Sequence, residues 1–233
     1  MEPSAFLAFV QLIIDGERDE VSRKLHSQPA LATFVLPVGA TKAQASDFFF
    51  SEIRHYMYGG DTALHMAAAA YSLPSVKLLV KSGSDCRAKN RRGAEPLHYA
   101  SDGCGSDGYS QAKVIEYLVS KGADPNATDK SGVAPLHRSV RTRSPGAVCA
   151  LLEAGAHPTL RNKSGSTPLH LAVQTTGASG SGANEAKERQ KLIIQLLLER
   201  GAQLKDEDSQ GKTVAQAVTS NWLREFLAES QNG

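Results

Sequence analysis

Gly165-Ser-Thr-Pro-Leu-His-Leu-Ala-Val173 decides the architecture, because its centre returns elsewhere in the chain. Thr62-Ala-Leu-His65, Glu95-Pro-Leu-His98, Ala134-Pro-Leu-His137 and Thr167-Pro-Leu-His170 place four histidines 33, 39 and 33 residues apart. A second phrase follows each of them: Ser82-Gly-Ser-Asp85, Lys121-Gly-Ala-Asp124, Ala154-Gly-Ala-His157 and Arg200-Gly-Ala-Gln203. The glycines of that phrase are 39, 33 and 46 residues apart, so a 33-residue period carries 6 extra residues in one unit and 13 in another. Both insertions fall between the histidine and the next glycine. Self-similarity at a fixed period means a stack of supersecondary units that share one continuous core.

Each unit obeys the same local chemistry. Thr precedes the short helix as its cap in two of the four units, and Pro occupies the first turn in three, where no backbone N–H is needed. A second apolar helix follows, such as Val76-Lys-Leu-Leu-Val80 or Val148-Cys-Ala-Leu-Leu152. Gly then ends it in the left-handed conformation of a C-terminal cap. Polar hairpins such as Arg161-Asn-Lys-Ser-Gly165 lead into the next unit. A 33-residue period with Thr-Pro-Leu-His-x-Ala resembles the ankyrin repeat family, well over residues 60–230 and loosely over 4–36. The resemblance implies an all-α ankyrin-repeat solenoid of stacked helix-turn-helix units joined by β-hairpin loops. It implies little about activity, since one fold hosts many functions.

On this pattern residues 1–36 form an irregular N-terminal capping repeat, with two helices over 4–27 and Ser4 as N-cap. Residues 37–59 are a loop plus an aromatic segment; Phe49, Ile53, Tyr56 and Met57 stand at near-helical spacing, which predicts a short helix. Phe48, Phe49 and Phe50 are expected to pack on the first helices, or else to form an aromatic lid beside a binding surface. Repeats then occupy 60–92, 93–131, 132–164 and 165–210, and 211–233 is a C-terminal capping repeat that has lost Pro and His. The insertions near 103–110 and 176–189 read as flexible, linker-like joints between the two helices of their units. The start of the chain has an apolar run without a basic leader and reads as a helix, not a signal peptide. No stretch reaches the roughly 18 apolar residues of a membrane span.

Nothing in the sequence marks a catalytic centre. The four histidines cannot share a metal: stacked elements lie roughly 10 Å apart, whereas zinc ligands lie about 2 Å from the ion. In ankyrin repeats this histidine brackets the Thr side chain and neighbouring backbone, so the resemblance gives His65, His98, His137 and His170 a structural role. Gly103-Cys-Gly-Ser-Asp-Gly108 matches a dinucleotide fingerprint only formally, lacking the strand before it. Cys86, Cys104 and Cys149 are odd in number and without a CxxC pair, which suggests free thiols in a reducing compartment. The expectation is a non-enzymatic, cytoplasmic, monomeric protein without cofactor or metal.

Charge supplies the partner clue. The chain carries +2 overall, but residues 60–92 hold +4, 93–131 hold −3, 132–164 hold +4 and 165–210 hold −1. Arg87, Lys89, Arg91 and Arg92 share one hairpin; Arg138, Arg141 and Arg143 end a first helix; Arg161 and Lys163 stand in the next hairpin. The family's contact positions are the hairpin tips and the exposed ends of the first helices. Carried onto this chain they are Arg91, Arg92 and Ala94; Lys130, Ser131 and Val133; Arg141 and Thr142; Lys163, Ser164 and Ser166; Gln174 and Thr175. A scaffold or adaptor gripping a protein segment with acidic patches is the leading expectation. A polyanion or nucleic-acid binder using the arginine stripe, or a non-catalytic subunit of an enzyme complex, is the alternative. Nucleic acid is disfavoured because no aromatic–basic interleaving accompanies the stripe.

Overall fold

The computed structural model describes residues 2–41, 45–103, 108–174 and 184–229. Helices α1 (Pro3–Ile14) and α2 (Arg18–Ser27) open the chain. A short aromatic hairpin follows, β1 (Phe49–Phe50) and β2 (His55–Tyr56). The helix pairs are α3 (Ala63–Ala69) with α4 (Leu73–Lys81), α5 (Pro96–Ala100) with α6 (Gly108–Ser120), α7 (Pro135–Arg141) with α8 (Pro145–Glu153), α9 (Pro168–Ala172) with α10 (Asn184–Glu199), and α11 (Val214–Ala217) with α12 (Asn221–Glu229). The first helices stack in the order α1, α3, α5, α7, α9, α11. The second helices α2, α4, α6, α8 and α10 form a parallel layer. The array is thus an all-α solenoid, and α1–α2 joins it in register despite lacking the repeated phrase.

The core follows the 3.6-residue period. In α1 the buried residues are Phe6, Phe9, Val10 and Ile13, one helical face. The same spacing buries Gln111, Val114, Ile115 and Leu118 in α6, and Gln190, Ile193, Ile194 and Leu197 in α10. Each buried glutamine has a partner: Gln111 Nε2 donates to the Ala100 carbonyl at 2.9 Å and Gln190 Nε2 to that of Ala172 at 2.6 Å. These carbonyls end the first helices of their units, where no intrahelical donor exists. Both glutamines occur in the units with extra residues.

Three sequence expectations change. Helix α1 begins at Pro3 with Glu2 at the N-cap position, not at Ser4. Residues 108–110 and 184–189 are helix, so part of each insertion lengthens the second helix instead of forming a linker. The pairs Glu185–Arg189 at 2.5 Å and Glu188–Lys191 at 2.9 Å support the longer α10. Residues 104–107 and 175–183 lie outside the described residues, and with them the rest of both insertions. Finally, the aromatic segment is a β-hairpin and not a helix. Phe49 pairs with Tyr56 and Phe50 with His55. Apolar spacing alone does not separate helix from strand over so short a run, and Phe and Tyr favour the strand. Phe50 is buried, while Phe49 faces outward.

The hairpins between units repeat one design. Asn90, Asp129, Asn162 and Asp208 each accept two backbone N–H bonds through Oδ1, from Arg92 and Ala94, Ser131 and Val133, Ser164 and Ser166, and Gln210 and Lys212. Each tip also bonds to the tip before it: Arg91 N–H to Gly59 O, Lys130 N–H to Arg92 O, Lys163 N–H to Ser131 O and Ser209 N–H to Ser164 O. The close crossing explains the glycines at 60, 93, 132 and 165. Gly132 has φ +72°, and a Cβ there would stand 2.8 Å from Lys163 N. Gly132→Ala is expected to cost about 1–2 kcal/mol, through the left-handed backbone and the displaced neighbour. Urea unfolding would measure it, and an unchanged midpoint would contradict the crossing.

Candidate functional site

The histidines join neighbouring units from below the tips. Nδ1 of His65, His98, His137 and His170 accepts the backbone N–H of Thr62, Glu95, Ala134 and Thr167 at 3.1, 3.1, 3.2 and 3.2 Å. Nδ1 is therefore the unprotonated nitrogen, and Nε2–H is left to donate. Nε2 meets the carbonyl oxygens of Ala94, Val133, Ser166 and Lys212, each in the next hairpin, at 3.1, 3.1, 3.2 and 3.2 Å. Burial lowers the pKa of His65 and His137. Burial, aided by the Arg138 charge, takes His98 down to about 3. These three rings are neutral at physiological pH. In the last unit Gln216 takes the histidine's place, its Oε1 accepting Thr213 N–H at 2.9 Å.

A groove of about 660 Å³ lies between the aromatic hairpin and the ends of α3, α5 and α7. Ile53, Arg54, His55, Tyr56 and Tyr58 form one wall, with Arg92 over the Tyr58 ring; Ala69, Ala70, Tyr71 and Tyr99 form the floor; Asp102, Arg138 and Thr142 form the other side. A buried network holds the floor. The Tyr99 hydroxyl donates to the Asp61 carboxylate at 2.8 Å, Asn90 Nδ2 donates to it at 2.9 Å and Tyr58 N–H at 2.6 Å. Asp61 is fully buried, so these donors replace its lost water. The His55 ring lies 4.5 Å from the Tyr99 ring and ties the hairpin to the floor.

Not every predicted contact residue reaches this face equally. Arg91, Arg92, Lys130, Ser131, Arg141, Lys163, Ser164 and Gln174 are exposed; Val133, Thr142 and Ser166 are half-buried. Ala94 is buried, so its side chain offers a partner little beyond a piece of groove wall. Thr175 lies outside the described residues. The arginine stripe is also less continuous than its sequence. Arg138 is buried between Asp102 at 3.0 Å and Asp129 at 3.1 Å, and Arg141 bonds Asp102 at 3.3 Å. Burial alone would raise the Asp129 carboxyl, but N–H donors from Val133 and Ser131 and the Arg138 guanidinium together hold it below its ordinary range.

Residues 40–129 match a family model described as ankyrin repeats (3 copies), and residues 118–172 match one described as ankyrin repeats (many copies). Together these matches run over more than half of the chain. The chain belongs to the ankyrin repeat family. A Notch-regulated ankyrin repeat-containing protein A from Danio rerio is 48% identical over 48 residues. That stretch is 21% of this chain and 43% of the relative, so the match spans less than half of that protein.

Two features of this ankyrin array were missed in its sequence. The Asx residues stand eight positions ahead of the next unit's His or Gln, as the pairs Asn90/His98, Asp129/His137, Asn162/His170 and Asp208/Gln216 show. That period was a sufficient signal. The Asp61–Tyr99 network had none, because its members are 38 residues apart and neither position recurs with its chemistry. Among the described residues no cluster of His, Cys, Asp or Glu is placed to hold a metal, and no helix is long and apolar enough to cross a membrane.

Proposed function

We propose that this ankyrin-repeat protein is a non-catalytic cytoplasmic module that grips an acidic segment of a protein partner on its concave face. Ankyrin repeats are generally protein–protein interaction modules. The row of hairpin tips is the observation that carries the choice of face. Arg92, Lys130 and Lys163 are exposed there and form no ion pair among the described residues. Their backbones are fixed in order by the tip-to-tip bonds. A surface cation without a carboxylate partner is available to one supplied in trans, and such pairs contribute to steering and specificity.

A polyanion-binding stripe has less support, because Arg138 is already neutralised by Asp102 and Asp129. Affinity capture from native lysate, with identification of the retained proteins, tests the proposed face. Arg92→Ala/Arg141→Ala should weaken capture by about 1 kcal/mol or more while leaving the melting midpoint nearly unchanged. A partner retained equally by this variant, by Lys130→Ala/Lys163→Ala and by the wild type would remove the concave face from consideration.

A further inference from the structure

We propose that the groove under the aromatic hairpin takes a peptide segment in which a carboxylate-bearing residue lies beside an aromatic one. The inference rests on the concave-face function above and names the partner's chemistry. Its first support is a row of rings that begins outside the groove at Phe49 and enters one wall at Tyr56 and Tyr58. Phe49 and Tyr56 are 41% and 38% exposed, with ring centroids 4.7 Å apart. Tyr56 lies 6.4 Å from Tyr58, and the Arg92 guanidinium lies 5.0 Å from the Tyr58 ring. The row thus runs from apolar rings to a positioned cation. Exposed, mutually tilted rings offer a further ring area to bury and a tilted or edge-on partner to meet.

The second support is charge. Arg54 and Arg92 line the groove, are exposed, and have no carboxylate partner among the described residues. Asp102 on the far side is covered by Arg138 and Arg141. Two unpaired guanidiniums beside a ring shelf select a carboxylate next to an aromatic side chain. A nucleic-acid strand fits less well: it brings a phosphate with every base, and Glu52 stands in the same wall as Arg54.

The test is fluorescence anisotropy of the full chain with a labelled random Glu–Tyr copolymer, beside polyglutamate and oligouridylate of similar length. The copolymer should bind about tenfold more tightly than polyglutamate, the gain coming from ring burial. Arg54→Gln/Arg92→Gln should weaken it by about tenfold. Tyr56→Ser should bring the copolymer and polyglutamate to similar affinity, with the melting midpoint retained in every variant. Equal binding of polyglutamate by the wild type, or tighter binding of oligouridylate, would overturn the proposal. If Lys130→Ala/Lys163→Ala abolishes binding and Arg54→Gln/Arg92→Gln does not, the groove is wrong and the wider concave face stands. Absence of copolymer binding overturns the groove alone, because the capture experiment decides the wider face.

Discussion

Replacing Arg138 by Ala is expected to destabilise the fold by about 3 kcal/mol, although the sequence places this residue in a surface stripe. Arg138 sits between Asp102 and Asp129, and its side chain is only 10% exposed. Without Arg138 the two carboxylates lose their shared cation, although Asp129 keeps its backbone N–H bonds and Asp102 its bond to Arg141; breaking a buried pair costs about 3–5 kcal/mol when the site is fully dry. The lower end applies because the Asp102 side chain is 23% exposed and keeps some water. Urea unfolding of Arg138→Ala at pH 7 measures the loss, and Arg138→Ala/Asp129→Asn should recover part of it by removing a stranded charge. A single-variant change below about 0.5 kcal/mol would mean that the three groups do not form a buried network. Surface neutralisation experiments therefore need Arg92 or Lys163, not Arg138, as their targets.

Replacing Glu95 by Thr is expected to raise stability at pH 7 by about 2–3 kcal/mol. Glu95 stands where Thr62 and Thr167 stand in other units, and it is fully buried. Neither carboxylate oxygen has a hydrogen-bond donor among the described residues. Lys89 Nζ lies 3.7 Å away on a side chain that is 59% exposed, so water screens much of its charge. Burial therefore pushes the Glu95 carboxyl up. An unsatisfied buried charge costs more than the roughly 1–3 kcal/mol of a neutral polar group, while the smaller threonine leaves a void that returns part of the gain. The Thr hydroxyl can instead lie near His98 Nδ1, as Thr62 Oγ1 lies 3.0 Å from His65 Nδ1.

The sign with pH follows from the raised pKa. The protonated carboxyl is the form the fold tolerates, so the wild type loses stability as pH rises from the unfolded value through the folded one. The advantage of Glu95→Thr is thus full above the folded pKa and shrinks as pH falls through it. Thermal midpoints of both proteins across acidic to neutral pH measure this difference. A variant less stable than the wild type at pH 7 would show that Glu95 has a partner after all.

The fold was legible because its signals are local and repeated. Thr, Pro, His and Gly recur at fixed offsets, and each has a backbone reason to be there. The aromatic hairpin was not legible, because a run of Phe and Tyr over twelve residues carries both helical and alternating spacing. Charge gave the tips but overstated the stripe. Arg138 and Arg141 read alike in sequence, yet one points among aspartates and the other remains exposed. Only the distance from α7 back to Asp102 and Asp129 separates them, and that distance belongs to the stacking of units.

The bonded row of tips also gives the face a direction. Reading along it, the paired tip residues are Arg91-Arg92, Lys130-Ser131, Lys163-Ser164 and Ser209-Gln210, so the positive charge falls from two to one, one and none. The tip-to-tip bonds keep these residues in that order, which turns a composition into a gradient. An extended acidic ligand laid along it is expected to settle in one polarity, with its carboxylate-rich end at Arg91 and Arg92. A cross-linker on that end should mark the neighbourhood of residue 92 and leave that of residue 209 untouched.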